Sequence, residues 1–345
     1  MHFLKKIRLG NTGIETPQNA FGALPIQRAD METAIRILKR AYEGGMTFFD
    51  TARAYSDSEE KLGKAFEGMR DKIFIASKTM AHTPEEFWSQ LNTSLNKLNT
   101  EYIDLYQFHC ADICYRPGDG TGMYECMLEA KEQGKIRHIG ITAHKLGVAE
   151  AAVDSGLYET LQFPLSYLAS EKEIALVDKC QEAGMGYIAM KAIAGGLITN
   201  SKAAFAFISQ FDQVLPIWGI QKESELEEWL GYMYEAPSMT EEIKAYIEQE
   251  KKELSGDFCR GCGYCMPCPV GIQINNSARM SLMLRRAPSE NWLTPKVQES
   301  MEKIELCLEC GECSSKCPYE LNTPELLKKN YEDYKKVLEG KVRVC

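Results

Sequence analysis

Lys72-Ile73-Phe74-Ile75-Ala76 and, further along, Gly186-Tyr187-Ile188-Ala189-Met190 are short apolar runs without polar alternation. A strand with one face in water alternates, and one covered on both faces does not, so these runs read as strands of a parallel sheet clad in helices. Working outward from them, strand candidates end near Phe21, Asp50, Lys78, His109, Thr142, Gln162, Lys191 and Gly219. They lie roughly 20 to 33 residues apart, the period of a strand–helix unit. Between them, Met31, Ala34, Ile35, Leu38, Ala41 and Tyr42 follow helical spacing and stop at Gly44-Gly45. Thr83-Pro84-Glu85-Glu86 reads as N-cap, first-turn proline and capping-box glutamate. Eight units from Gly10 to about Trp229 predict an α/β chain with a closed (β/α)8 TIM barrel. An open doubly wound sheet is the competing reading, weakened because no G-x-G-x-x-G follows the first strand.

The 345 residues suffice for about two domains. Hydrophobic residues make up 44% and charged ones 26%, ordinary for a globular protein. A net charge of -9 argues against nucleic acid or an anionic membrane as partner, since both attract basic surfaces. Met1-His2-Phe3-Leu4-Lys5-Lys6-Ile7-Arg8 is too basic and broken for a signal-peptide core, and no apolar run spans a bilayer, so the expectation is a cytoplasmic protein. The boundaries expected are 1-235 for the barrel, 236-255 for a charged helical linker and 256-345 for a cysteine-rich module.

Thirteen cysteines are unevenly spread. Cys110, Cys114, Cys126 and Cys180 are scattered and read as small buried hydrophobes, with Cys345 a free tail thiol. The other eight form Cys259-x2-Cys262-x2-Cys265-x2-Cys268-Pro269 and Cys307-x2-Cys310-x2-Cys313-x3-Cys317-Pro318. The second matches the bacterial ferredoxin run residue for residue, and the first is one residue shorter before its last cysteine. Three thiolates at i, i+3 and i+6 suit three corners of one 4Fe-4S cube, and the fourth, carried off by proline, suits the neighbouring cube. Cys259, Cys262, Cys265 and Cys317 are therefore assigned to one cluster, and Cys307, Cys310, Cys313 and Cys268 to the other. Structural zinc, which usually takes paired ligands, and disulfides are the lesser alternatives.

Barrel enzymes place chemistry at the C-terminal ends of their strands. There the sequence reads Phe48-Phe49-Asp50-Thr51-Ala52-Arg53-Ala54-Tyr55 followed by Ser58-Glu59 and Leu62-Gly63, then Ser77-Lys78-Thr79, then Gln107-Phe108-His109. Any one of these polar residues has a bland explanation, but a carboxylate, a phenol, an amine and an imidazole on three consecutive strands point to one catalytic mouth.

On these residues the chain resembles the aldo-keto reductase family, and with its tandem cysteine motifs the branch fused to a C-terminal two-cluster ferredoxin-like domain. The resemblance implies a catalytic tetrad of Asp50, Tyr55, Lys78 and His109. Tyr55 would protonate a carbonyl oxygen, Lys78 beside Asp50 would lower the phenol's pKa, and His109 would orient the substrate. It also implies NADP(H). Thr142 and Gln162 match the family's carboxamide contacts, while His144 stands where Asn is usual and Lys191 stands where an aromatic residue usually stacks. Gly195 and Gly196 would let backbone amides approach a pyrophosphate, and Gly219 with Lys222 opens a helix suited to the adenosine phosphate. That helix carries Glu228-Trp229 where the family has Glu-Asn.

A hydride carries two electrons and a cube passes one, so coupling needs an adapter, and a flavin is one candidate although no flavin motif is visible. The leading expectation is an oxidoreductase that reduces a carbonyl, or oxidises an alcohol, of a small molecule, with electrons from NADPH and/or the clusters. The alternatives are an electron-transfer protein with a vestigial barrel site and a redox-neutral or radical enzyme such as a dehydratase or isomerase. A ferredoxin or flavodoxin is the candidate protein donor, and clusters near the surface suggest an anaerobic host. Tyr115, Arg116, Tyr124 and Tyr167 are candidate pocket residues, each equally a packing residue.

Overall fold

The computed structural model describes residues 5–254, 258–286 and 289–344. Cys345 and the first four residues of the N-terminal stretch lie outside the described residues. The chain opens with a hairpin absent from the reading above, β1 (Lys6–Arg8) paired antiparallel with β2 (Glu15–Pro17). Eight parallel strands then close into a barrel: β3 (Ala20–Gly22), β4 (Phe48–Asp50), β5 (Phe74–Thr79), β6 (Ile103–Phe108), β7 (Ile136–Thr142), β8 (Thr160–Pro164), β9 (Gly186–Met190) and β10 (Val214–Gly219), with β10 pairing β3 to complete the ring. The predicted strand ends agree within two residues, and the closed barrel displaces the open-sheet alternative.

The barrel's helices are α1 (Met31–Glu43), α2 (Ser58–Ala65), α3 (Pro84–Leu98), α4 (Met123–Glu132), α5 (Leu146–Ser155), α6 (Glu171–Glu182), α7 (Ser201–Ile208) and α8 (Glu223–Gly231). In α1, Asp30 is the N-cap, and Ile37 rather than Ile35 is buried beside Ala34, Leu38 and Ala41. In α3, Thr83 caps as expected, but the Glu86 carboxylate accepts from His82 N–H at 2.9 Å, one residue earlier than a capping box requires.

The hairpin seals one end of the barrel. Ile7, Leu9 and Ile14 pack with Ala20, Phe48, Ala76, Leu105, Ile188 and Leu215, the inward layer nearest the strand N-termini. Gly10 makes this approach possible, because at its φ of 53° a Cβ would stand 2.2 Å from the Gly186 nitrogen. No larger residue fits there.

Contacts divide the chain into two compact units, 1–192 with 205–239 and 193–204 with 240–345. The charged helix α9 (Glu241–Glu253), expected as a linker, groups with the second unit, as does the segment from Ile193 to Ala204. The second unit continues with α10 (Ile274–Ser277), α11 (Met280–Arg286), α12 (Pro295–Glu302), α13 (Glu312–Ser315) and α14 (Thr323–Leu338). Its core is small, built on Ile272, Ile274, Leu284, Met301, Leu327 and Tyr334, with Cys259, Cys265, Cys268 and Cys307 packed against it. Among the described residues no helix is long and apolar enough to cross a membrane.

Candidate active site and cysteine chambers

Strand periodicity builds the barrel site. Successive side chains alternate, so residues two beyond the sealed layer point inward again, one step nearer the mouth. Asp50 follows Phe48, Lys78 follows Ala76 and Gln107 follows Leu105 in this way, and His109 stands one further step out. The Lys78 ammonium donates to Asp50 Oδ1 at 2.6 Å and to the Thr51 carbonyl at 2.8 Å, and both charged side chains are almost wholly buried. Burial raises the Asp50 pKa, and Lys78 is the largest opposing influence.

Past Asp50 the backbone stays tied to β5 through Thr51 N–H to Ala76 and Arg53 N–H to Lys78, and then turns to present Tyr55. The residues after Tyr55 hold that turn. Ser58 bonds Thr51 and the Ala23 carbonyl, buried Glu59 accepts from Ser77 at 2.6 Å and pairs with Arg53, and Lys61 donates to three carbonyls of residues 26–29. Gly63 lets α2 meet α3, since a Cβ there would lie 2.4 Å from the Lys97 carbonyl oxygen. Glu59 and Ser58 thus act on the site through the backbone.

The Lys78 nitrogen lies 5.3 Å from the centre of the Tyr55 ring, and the His109 ring meets that ring edge-on at 5.6 Å. The tetrad converges. One expectation is corrected: the phenol's pKa is not lowered. Burial, then the Asp50 charge, then Cys110 push it well above its ordinary value. His109 is pushed down to about 3, first by burial and then by Lys78 and His144, so its imidazole is neutral, with Nδ1 buried and unbonded.

Sequence reasoning passed over two residues beside this cluster. Gln107 donates to Gln162 Oε1 at 3.1 Å, and both amides act on Asp50. Cys110, expected as a buried hydrophobe, is only partly buried at a φ of 51° directly after His109, its N–H donating to Thr142 Oγ1 at 2.7 Å. Its position at a strand end was the available signal. Cys114 is also partly exposed, whereas Cys126 and Cys180 are buried. The tyrosines are packing: Tyr115 lies 4.5 Å from the Phe108 ring, Tyr124 donates to the Leu157 carbonyl, and Tyr167 is buried.

The residues expected at the nucleotide are divided between the two compact units. Thr142 and Gln162 are register partners on β7 and β8, beside buried His144, whose pKa burial and Lys191 push down to about 3. Lys191 directly follows β9 at a φ of 57°. Gly195 and Gly196 belong to the second unit, where Gly195 approaches Arg279. Gly219 ends β10, but the amides that follow are engaged: Gln221 N–H and Lys222 N–H donate to Glu225 at 2.9 and 3.1 Å. Thr142 and Gln162 thus stand side by side on adjacent strands, while the Glu225 carboxylate accepts from the two amides just before α8.

The eight cysteines surround two chambers. One, with about 350 Å³ of open space, is lined by Cys259, Cys262, Cys265 and Cys317. The other, with about 420 Å³, is lined by Cys268, Cys307, Cys310 and Cys313, with Cys265 also on its wall. The crossover of the fourth cysteine thus appears in the fold itself. Among the described residues no three ligands converge on a single metal ion. Burial raises the Cys259, Cys265 and Cys313 thiols, Cys265 to about 12, so metal must displace protons to bind. An all-thiol donor set around two adjoining chambers fits two iron–sulfur cubes.

Comparison with known proteins agrees with this division. Residues 18–214 match the aldo/keto reductase family and residues 258–322 match a 4Fe-4S dicluster domain. The barrel is 28% identical over 215 residues to the probable aldo-keto reductase 1 of Glycine max, covering 56% of this chain and 60% of that protein. It is 29% identical over 211 residues to the aldo-keto reductase YhdN of Bacillus subtilis, covering 56% and 63%. The chain therefore spans about three fifths of the length of these relatives. Among solved structures, the holo form of aldo-keto reductase AKR11C1 from Bacillus halodurans superposes with a TM-score of 0.64 at 22% identity, over 72% of this chain and 96% of that one. An aldo/keto reductase from Klebsiella pneumoniae in complex with NADP and acetate gives 0.61 at 22% identity, over 71% and 95%. Matched over more than half its length, the chain belongs to the aldo/keto reductase family and carries a 4Fe-4S dicluster domain C-terminal to its barrel.

Proposed function

We propose that the protein is an iron–sulfur oxidoreductase that reduces the carbonyl of a small molecule, or oxidises the corresponding alcohol, with Tyr55 as proton donor. The observation that carries this reading is the buried Lys78–Asp50 pair at 2.6 Å with Tyr55 and His109 gathered over it. The raised phenol pKa means that Tyr55 keeps its proton at neutral pH. Neutral His109 donates a hydrogen bond to the carbonyl oxygen without adding a charge. As negative charge grows on that oxygen, the Tyr55 O–H bond breaks and the substrate O–H bond forms. The phenolate left behind faces Lys78, whose ammonium Asp50 and the Thr51 carbonyl hold in place. When bound, NADP(H) supplies a hydride to the carbon, and the clusters supply single electrons.

A second source of reducing equivalents, a one-electron carrier such as a ferredoxin or flavodoxin acting through the clusters, is supported by the cysteine chambers and by Glu225, whose carboxylate already accepts from the Gln221 and Lys222 amides just before α8. Tyr55→Phe is the test. Anaerobic turnover of an aldehyde panel with NADPH, and separately with a reduced one-electron donor, is expected to fall at least a hundredfold while cluster absorbance stays intact. A fully active variant removes Tyr55 from the chemistry, and wild-type protein inert with both donors removes the carbonyl reading.

A further inference from the structure

Arg279, between α10 and α11 in the second unit, is a buried cation with an unusual set of neighbours. Two glycine backbones make room for it. Gly195 and Gly261 have φ of 66° and 68°, and a Cβ on either would lie 2.8 Å from Nη1 or 2.9 Å from Cζ. Nη1 donates to the Gly195 carbonyl at 3.2 Å, and Nε is buried with no hydrogen-bond partner among the described residues. A buried arginine normally meets a carboxylate, because an isolated charge is costly away from water. Among the described residues none pairs with Arg279, and the charge that acts on it is Cys259. The Gly261 that cradles the guanidinium also donates its N–H to Cys259 Sγ at 3.4 Å. The chamber of Cys259, Cys262, Cys265 and Cys317 further carries Arg260 on its wall, whereas among the described residues the other chamber's wall holds Glu312 and no basic residue.

A cube held by four thiolates is anionic and becomes more so on reduction, and nearby charge and burial are the protein's levers on its potential. We propose that Arg279 is the countercharge of the cluster on Cys259, Cys262, Cys265 and Cys317, and that it gives this cluster the higher potential of the two. A single electron entering the domain from an external one-electron reductant then comes to rest there. An electron entering at the cluster on Cys268, Cys307, Cys310 and Cys313 would pass to its neighbour, the first losing one electron and the second gaining one, with no bond broken and no proton moved. The carbonyl reading is not required.

The test is a dithionite titration of the anaerobically purified full-length protein, followed by electron paramagnetic resonance of each reduced cluster. In R279Q the reduced-to-oxidised ratio of the higher-potential cluster at fixed potential is expected to fall at least tenfold, which is 59 mV for a one-electron couple. The other cluster is expected to move less than threefold, and R279K to restore most of the loss. Iron and sulfide content per chain are expected to match wild type. Unchanged ratios, or equal shifts in both clusters, overturn the proposal. Should R279Q fail to assemble both clusters, G195A decides: its added methyl displaces the guanidinium, and a same-direction shift confined to the higher-potential cluster supports the assignment, while unmoved potentials or a shift in the other cluster refute it.

Discussion

Lys78→Met removes the ammonium that Asp50 faces while keeping the side chain's length. At 2.6 Å, with an effective dielectric of about 20, the gross attraction in the pair is roughly 6 kcal/mol. Burying the two charges offsets part of this, and the expected loss on removing one partner is about 3–5 kcal/mol. Proton uptake by Asp50 limits that loss. Its pKa is already raised by burial, and losing Lys78 removes the main influence holding it down. The native carboxyl then keeps its proton at pH values where the unfolded chain, with a pKa near 3.9, has released it. The native state binds more protons, so the variant's stability falls as pH rises until the native Asp50 also ionises. Urea unfolding of the anaerobic holoprotein, followed by the stacked Trp218 and Trp229 of the barrel, measures both the loss and its pH slope. The double variant Asp50→Asn/Lys78→Met removes both charges and is expected to be at least 1 kcal/mol more stable than Lys78→Met alone. A single variant within 1 kcal/mol of wild type, or a double variant no better than the single, refutes the interdependent pair.

His109 and His144, both pushed down to about 3, are neutral from pH 8 to pH 5, so their ring proton resonances are expected not to move in that range; a titration near 6.5 in either contradicts the burial described. Gly140→Ala places a Cβ 2.4 Å from Thr160 Oγ1 and 2.9 Å from Gln107 Cγ, and overpacking of this kind costs about 1–3 kcal/mol, seen as a lower urea midpoint. Cys317→Ser and Cys259→Ser line one chamber, so the double variant is expected to retain about half the iron, as the more damaging single change does. Cys317→Ser with Cys307→Ser is expected to lose nearly all of it, and the reverse pattern breaks the crossover assignment.

The barrel was legible because its information is local. Doubly covered strands advertise themselves as unalternating apolar runs, and Asp50, Lys78 and His109 fall at strand ends by counting residues. Cysteine spacing is local too, since a tight turn sets which thiols share a cube. The N-terminal hairpin was missed because three-residue strands leave almost no periodic signal.

By itself, then, the sequence determined the eight-stranded closed barrel, the four polar residues at its mouth and the two cysteine sets. The tertiary structure alone decided the charge balance and the close approaches. Burial first, and then the Asp50 charge, raise the Tyr55 phenol's pKa where proximity to an amine suggested it would fall. Gly195 makes way for Arg279, 84 residues along the chain, and Glu225 takes the amides just before α8. The reason is that periodicity records what each residue does to its neighbours in the chain, whereas electrostatics and packing depend on burial and on distances between groups that only the folded chain brings together.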